Sequence, residues 1–455
     1  MRNVLLLLLA QTPALADGRL LRDLTPERYS IDLEVALGTS RFSGRERIEA
    51  RLPAPTRRIV LHAAELSVTS ATAGGAQARV SADAEAETIA LDFPSELPAG
   101  AVTIDLVFAG RLNERLRGLY AARVGKDTYA FTQMEPTDAR RMFPCVDEPA
   151  AKARYAIGIT IDRDWQVVSN GALLETSKKG RKKTFRFAET AKMSTYLVAL
   201  AIAPLAAKAA PATGAGGTPI AVHALRDKIG LSDFALEAAA ALLPRLEAYF
   251  GIPYPYGKLD LVAVPEFEAG AMENAGAIFF RESALLVDPK QASAETRRRV
   301  AIIIAHEMAH MWFGDLVTMA WWDDLWLNEA FATWMEFKVV SDWKPEWNLW
   351  TDFQQMKRGP MALDALPTAR AIRAEANTPA EINEMFDAIT YSKGAGVLRM
   401  LELFLGEEKF RDGVRRYMAE HREGNATAAD LWRALGEASG QPVGHIAPPW
   451  IEQAG

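Results

Sequence analysis

The chain has 455 residues, 49% of them hydrophobic, a formal net charge of −6 and one cysteine. That length suggests about three domains with ample cores, and the lone Cys145 excludes an intramolecular disulfide. Mild acidity gives no basis for binding nucleic acid through its phosphates, and the one strongly apolar terminal run is too short to span a bilayer.

Residues 1–16 read as a secretory signal, with Arg2 as the basic end, an apolar run from Val4 to Ala10, and Ala14-Leu15-Ala16 as the cleavage site. The mature chain is therefore expected to be exported, to a periplasm or the extracellular space. From about 25 to 204 apolar residues alternate with polar ones. Tyr29, Ile31, Leu33 and Val35 begin the pattern, and Val102, Ile104, Leu106 and Phe108, then Tyr155, Ile157, Ile159 and Ile161, repeat it. This predicts an all-β domain over 17–204. Residues 205–217, rich in Ala, Gly and Pro, read as a loop or linker. The remainder, 205–455, is predicted to be a second domain dominated by helices at 232–250 (with Pro244 as a kink), 295–313, 325–340 and 394–405. Eight of the eleven tryptophans fall between 312 and 350, which favours a packed core there over an aromatic binding wall. His62, His223, His421 and His445 have no partner at ligand spacing and receive no role.

The informative motif is His306-Glu307-Met308-Ala309-His310. On a helix, residues four apart lie about 40° apart around the axis, so both imidazoles leave one face. Two imidazoles and a carboxylate hold a catalytic zinc with one position open, and Glu307 stands where it can take a proton from water. The flanks, Val300 to Ala305 and Met311-Trp312-Phe313, are apolar, so the helix is buried and its polar groups need partners. Gly314 suits the end of that helix. Spacing alone leaves the third ligand open among Asp323, Asp324, Glu329 and Glu336.

The segment 306–336 resembles the zinc aminopeptidases of the aminopeptidase N group, gluzincins in which the ligand glutamate follows the second histidine after eighteen residues, in an Asn-Glu pair. Asn328-Glu329 stands there, and Gly270-Ala271-Met272-Glu273-Asn274 matches the group's upstream signature. Tyr254 to Asp260, Thr137 to Arg141, Phe143 to Pro149 and Tyr391-Ser392-Lys393-Gly394 match further, in order, so the resemblance runs from about 25 to the last residue. It implies an α+β protein, in which an all-β saddle-like domain is followed by a thermolysin-like catalytic domain. It also implies one zinc on His306, His310 and Glu329, Glu307 as general base, and Tyr391 as the oxyanion donor. Glu273, with Glu135 in Gln133-Met134-Glu135, would bind the free amine of a peptide substrate, and a substrate strand could add along Gly270 and Ala271. Small Ala269 would sit near the first side-chain pocket.

Larger members of the group continue into a β-sandwich and a helical roof. The sequence ends at Gly455, so either a natural short form or a fragment with an open cleft is expected. Two other readings share parts of this pattern. Epoxide hydrolases of the leukotriene-processing kind carry Gly-Gly-Met-Glu-Asn, whereas Ala271 stands at the second position. Non-catalytic peptide-binding scaffolds lose a ligand or the base, and His306, Glu307, His310 and Glu329 are all present.

Overall fold

The computed structural model describes residues 19–455, so the leader expected at 1–16 lies outside the described residues. The alternating pattern forms strands as expected. Thr25–Ala36 runs parallel to Arg154–Ile161, with Ile31 opposite Ile157, and antiparallel to Arg41–Leu52, with Tyr29 opposite Ile48. These strands lie in an eight-stranded sheet, accompanied by sheets of three and four strands. The inward residues Tyr29, Ile31, Leu33 and Val35 are buried, as are Ile104, Leu106 and Phe108 one strand further across the same sheet, because successive side chains of a strand point to opposite faces. Cys145 is buried beside them.

The linker expected at 205–217 is not one. Leu205–Thr213 and Thr218–Leu225 form an antiparallel hairpin, Leu205 opposite Leu225, and join Leu259–Val264, Ala277–Arg281 and Ala271–Met272 in a five-stranded sheet. Poor strand formers are tolerated because Leu205–Thr213 is an edge strand, and Pro211 falls where the register shifts between Ala210 and Thr213.

Helices follow at Asp233–Phe250, with Pro244 inside it, Ala294–His310, Leu325–Trp343 and Gly394–Leu405. Thus an all-β half precedes a sheet-plus-helix half. Ser293 caps the second helix by accepting from the Thr296 amide. That helix stops at His310, and the chain turns through Gly314 at φ +129°. A Cβ at Gly314 would fall on Asn328 Oδ1, so this close approach requires glycine. Of the tryptophans of 312–350, Trp312, Trp322, Trp326 and Trp334 are fully buried in the core, with Trp312 stacked on Phe250 at 5.1 Å, while Trp321, Trp343, Trp347 and Trp350 are partly buried against it.

Candidate active site

Two helices and one sheet edge build the cleft. His306 and His310 leave one face of Ala294–His310 with ring centroids 4.6 Å apart. Glu329, from the first turns of Leu325–Trp343, places Oε2 3.3 Å from His306 Nε2 and 3.5 Å from His310 Nε2. One donor atom from each of the three lies within 4.8 Å of the others.

The other ring nitrogens are tied off. His306 Nδ1 lies 2.6 Å from Glu336 Oε2, and His310 Nδ1 lies 2.7 Å from Asn328 Oδ1 and 3.1 Å from the Phe313 carbonyl. Three acceptors around the Nδ1 positions favour the tautomer that donates there and leaves each Nε2 lone pair free. This donor set fits a catalytic zinc.

The four acids that spacing could not separate now divide. Glu329 faces the imidazoles, Glu336 stands behind His306, and Asp323 and Asp324 turn away to Arg373 at 2.5 and 3.1 Å. The Asn328 amide links two functions, since its Nδ2 donates to Glu273 Oε1 at 2.9 Å while its Oδ1 faces His310. Sequence reasoning assigned no task to Asn328 or Glu336. The signal available for Glu336 was its position two turns from Glu329 on a similar face.

Glu135, Glu273 and Glu329 each offer an oxygen within one 4.8 Å cluster, and Glu273, Glu307 and His310 form another. The Glu135 side chain comes from the end of Asp127–Gln133 in the β half, and one of its oxygens is buried without a partner. Gln133 donates to Met272 Sδ at 3.5 Å. Gly270 and Ala271 lie at the outer edge of the five-stranded sheet, Ala271 opposite Phe280 and Met272 opposite Phe279. Asn274 is buried, its carbonyl accepting from the Ala277 amide. Tyr391 sits in a single π-helical turn, Ile389–Lys393, its ring stacked 6.2 Å from that of His306.

Burial and mutual charge set the protonation. Glu307 is pushed up to about 8, by burial first, with His306 and His310 opposing. Glu329 falls to about 2, because hydrogen bonds to His306 and His310 overcome burial. Burial lowers both imidazoles but loses: Glu329 and Glu336 hold His306 well above its ordinary value, while Glu273 and Glu329 carry His310 to about 9. Glu135 is raised by burial and by Glu273. Tyr391 is raised by burial and by Glu329, so its phenol keeps its proton. Five glutamates around two imidazoles make a cluster that favours positive charge.

The cleft encloses about 480 Å³ and is lined by the two histidines, the five glutamates and Tyr391, with Ala269, Arg117 and Phe386 at its wall. Arg117 and Phe386 were not foreseen, having no motif of their own. No tryptophan lines it.

Comparison with known proteins agrees over nearly the whole chain. The model of the Peptidase M1 N-terminal domain matches residues 25–197, and that of the Peptidase family M1 domain matches 234–450. Aminopeptidase M1-A of Oryza sativa subsp. japonica is 40% identical over 446 residues, 94% of this chain and 50% of the relative. Aminopeptidase M1 of Arabidopsis thaliana is 40% identical over 452 residues, 96% and 51% of the two chains. Tricorn protease-interacting factor F2 of Thermoplasma acidophilum is 39% identical over 440 residues, 94% and 53%. The chain spans about half the length of these curated relatives.

Proposed function

This chain belongs to peptidase family M1, and from that premise we propose that it is a zinc-dependent aminopeptidase that removes N-terminal residues from peptides. The observation that carries the proposal is the convergence of His306, His310 and Glu329 beside the paired carboxylates Glu135 and Glu273. Bound there, one zinc would act as a Lewis acid, polarising the scissile carbonyl and lowering the pKa of water towards about 7.

The protein's own groups do the rest. An α-amino group is mostly cationic near neutral pH, and Glu273 with Glu135, whose oxygens cluster with one of Glu329, offers it carboxylate acceptors in the cleft. Peptide backbone adds along the exposed edge at Gly270 and Ala271, where small residues permit close approach. Asn328 holds Glu273 and His310 in one frame, so amine and scissile bond keep a fixed separation. Glu307 accepts the proton of the attacking water and passes it to the leaving amine. Tyr391 remains a phenol and donates to the oxyanion that develops on the carbonyl. We also propose export directed by residues 1–16, checked by cell fractionation and N-terminal sequencing of the mature chain.

The decisive assay compares free-amine aminoacyl arylamides (leucyl, alanyl and arginyl) with their N-acetyl forms. Cleavage of the free amines only is expected. Glu273→Ala and Glu135→Ala should each raise KM for the free amines, and unchanged discrimination in both would sink the amine assignment.

A further inference from the structure

The sheet edge that carries Glu273 is gripped from the β half at the turn just beyond it. Asn170 follows the strand Gln166–Ser169 and is buried. Its Nδ2 donates to the Ala275 carbonyl at 3.0 Å and to the Leu197 carbonyl at 2.7 Å, and its Oδ1 accepts from the Ala199 amide at 2.8 Å. Lys258 closes on the same turn from the other half. Its Nζ donates to the Gly276 carbonyl at 3.0 Å, the Ser169 carbonyl at 2.9 Å and Asp260 Oδ2 at 2.6 Å, which uses all three ammonium protons. Gly276 has φ +75°, and a Cβ there would stand 2.7 Å from the Asn170 carbonyl oxygen, so the two halves meet backbone to backbone. At the other end of the segment, the Tyr120 hydroxyl donates to the Glu266 carbonyl at 2.7 Å.

The strand order ties these anchors to Glu135. Gln166–Ser169 and Asp127–Gln133 both run antiparallel to Leu200–Ala203, which lies between them. They are therefore parallel to each other, and Asn170 and Glu135 follow their C-terminal ends at the same end of one sheet. Ser169 stands opposite Leu200, whose amide donates to Thr132 Oγ1 at 2.9 Å, so the two ends are nearly level. Tyr120 lies on the fourth strand, Gly118–Val124. One sheet thus carries Glu135 and grips the segment that carries Glu273. Asn170, Lys258 and Tyr120 do not line the cleft themselves.

We propose that Asn170, Lys258 and Tyr120 are positioning residues that set the separation of Glu135 and Glu273, and so the fit of the cleft to a substrate amine. This role rests on the amine-binding reading of that pair. An ammonium shared by two carboxylates tolerates little displacement of either, and hydrogen bonds across the junction of the two halves hold both in place.

The test is steady-state kinetics of the zinc-loaded full chain on leucyl arylamide. Asn170→Ala and Lys258→Met should each raise KM about tenfold through misplaced carboxylates, with kcat changed less than about threefold and zinc content unchanged. Because the anchors act through Glu135, adding Asn170→Ala to Glu135→Ala should raise KM little further. Circular dichroism checks folding, and Tyr120→Phe, which deletes one hydroxyl, carries the test if the other variants do not fold. The role is overturned if folded variants keep the wild-type KM. It is equally overturned if the effects of Asn170→Ala and Glu135→Ala multiply in the double variant, which would make them independent. A wild type that cleaves N-acetyl arylamides as readily as free amines would instead overturn the amine reading itself.

Discussion

Two equally buried carboxylates, one in each half of this molecule, are treated in opposite ways. In the β half, Glu46 takes an inward position on Arg41–Leu52, between Gly44 and Ile48, and is 3% exposed with both oxygens unpartnered. Burial alone drives its carboxyl well above the ordinary range. In the helical half, Glu329 is equally buried, yet imidazole hydrogen bonds hold it at about 2. Depth is therefore not what sets the charge of a buried acid; what faces it is.

Four changes would break or sharpen that contrast. The largest effect is expected from Glu307→Gln, which should lower kcat by about 10²–10⁴-fold with zinc content retained. Loss of zinc in that variant would move Glu307 out of the base role. Glu336→Ala removes the acceptor behind His306 Nδ1 and should weaken zinc binding about 10–100-fold, measured by competition with a chelator. Unchanged affinity would mean that the imidazole is oriented by something else.

Glu46→Gln should stabilise the fold at pH 7 by about 1–2 kcal/mol, read from urea unfolding. The sign follows from linkage. A folded-state value above the reference of 4.5 means the native state binds the proton more tightly, so the wild type is most stable below that value. Its stability then declines as pH rises towards the folded-state value. The gain in Glu46→Gln should accordingly vanish in acid, and a pH-independent gain would refute the burial argument. The smallest effect is expected from Glu27→Gln, which removes an exposed partner of Arg51 and should change stability by less than about 0.5 kcal/mol.

Much of this was legible in the order of residues because it is local physics. Alternation at Tyr29 to Val35 predicts a half-buried strand, and His306 with His310 predicts one helical face, since period two and period 3.6 are properties of the backbone. The composition of 205–217 misled because its Ala, Gly and Pro carry loop propensity, whereas pairing with Thr218–Leu225 at a sheet edge overrides propensity.

The sequence by itself determined the strands, the main helices, the paired histidines and, through resemblance, the candidate roles of Glu329, Tyr391, Glu273 and Glu135. Only the tertiary structure decided which of four neighbouring acids faces the imidazoles, which backs His306, and which two pair with Arg373. It alone brought Glu135 of the β half beside Glu273 of the sheet edge, 138 positions along the chain, and set Asn328 between Glu273 and His310. The reason is one of range. Periodicity acts over a few residues, whereas contacts between distant segments are chosen by how whole sheets and helices pack.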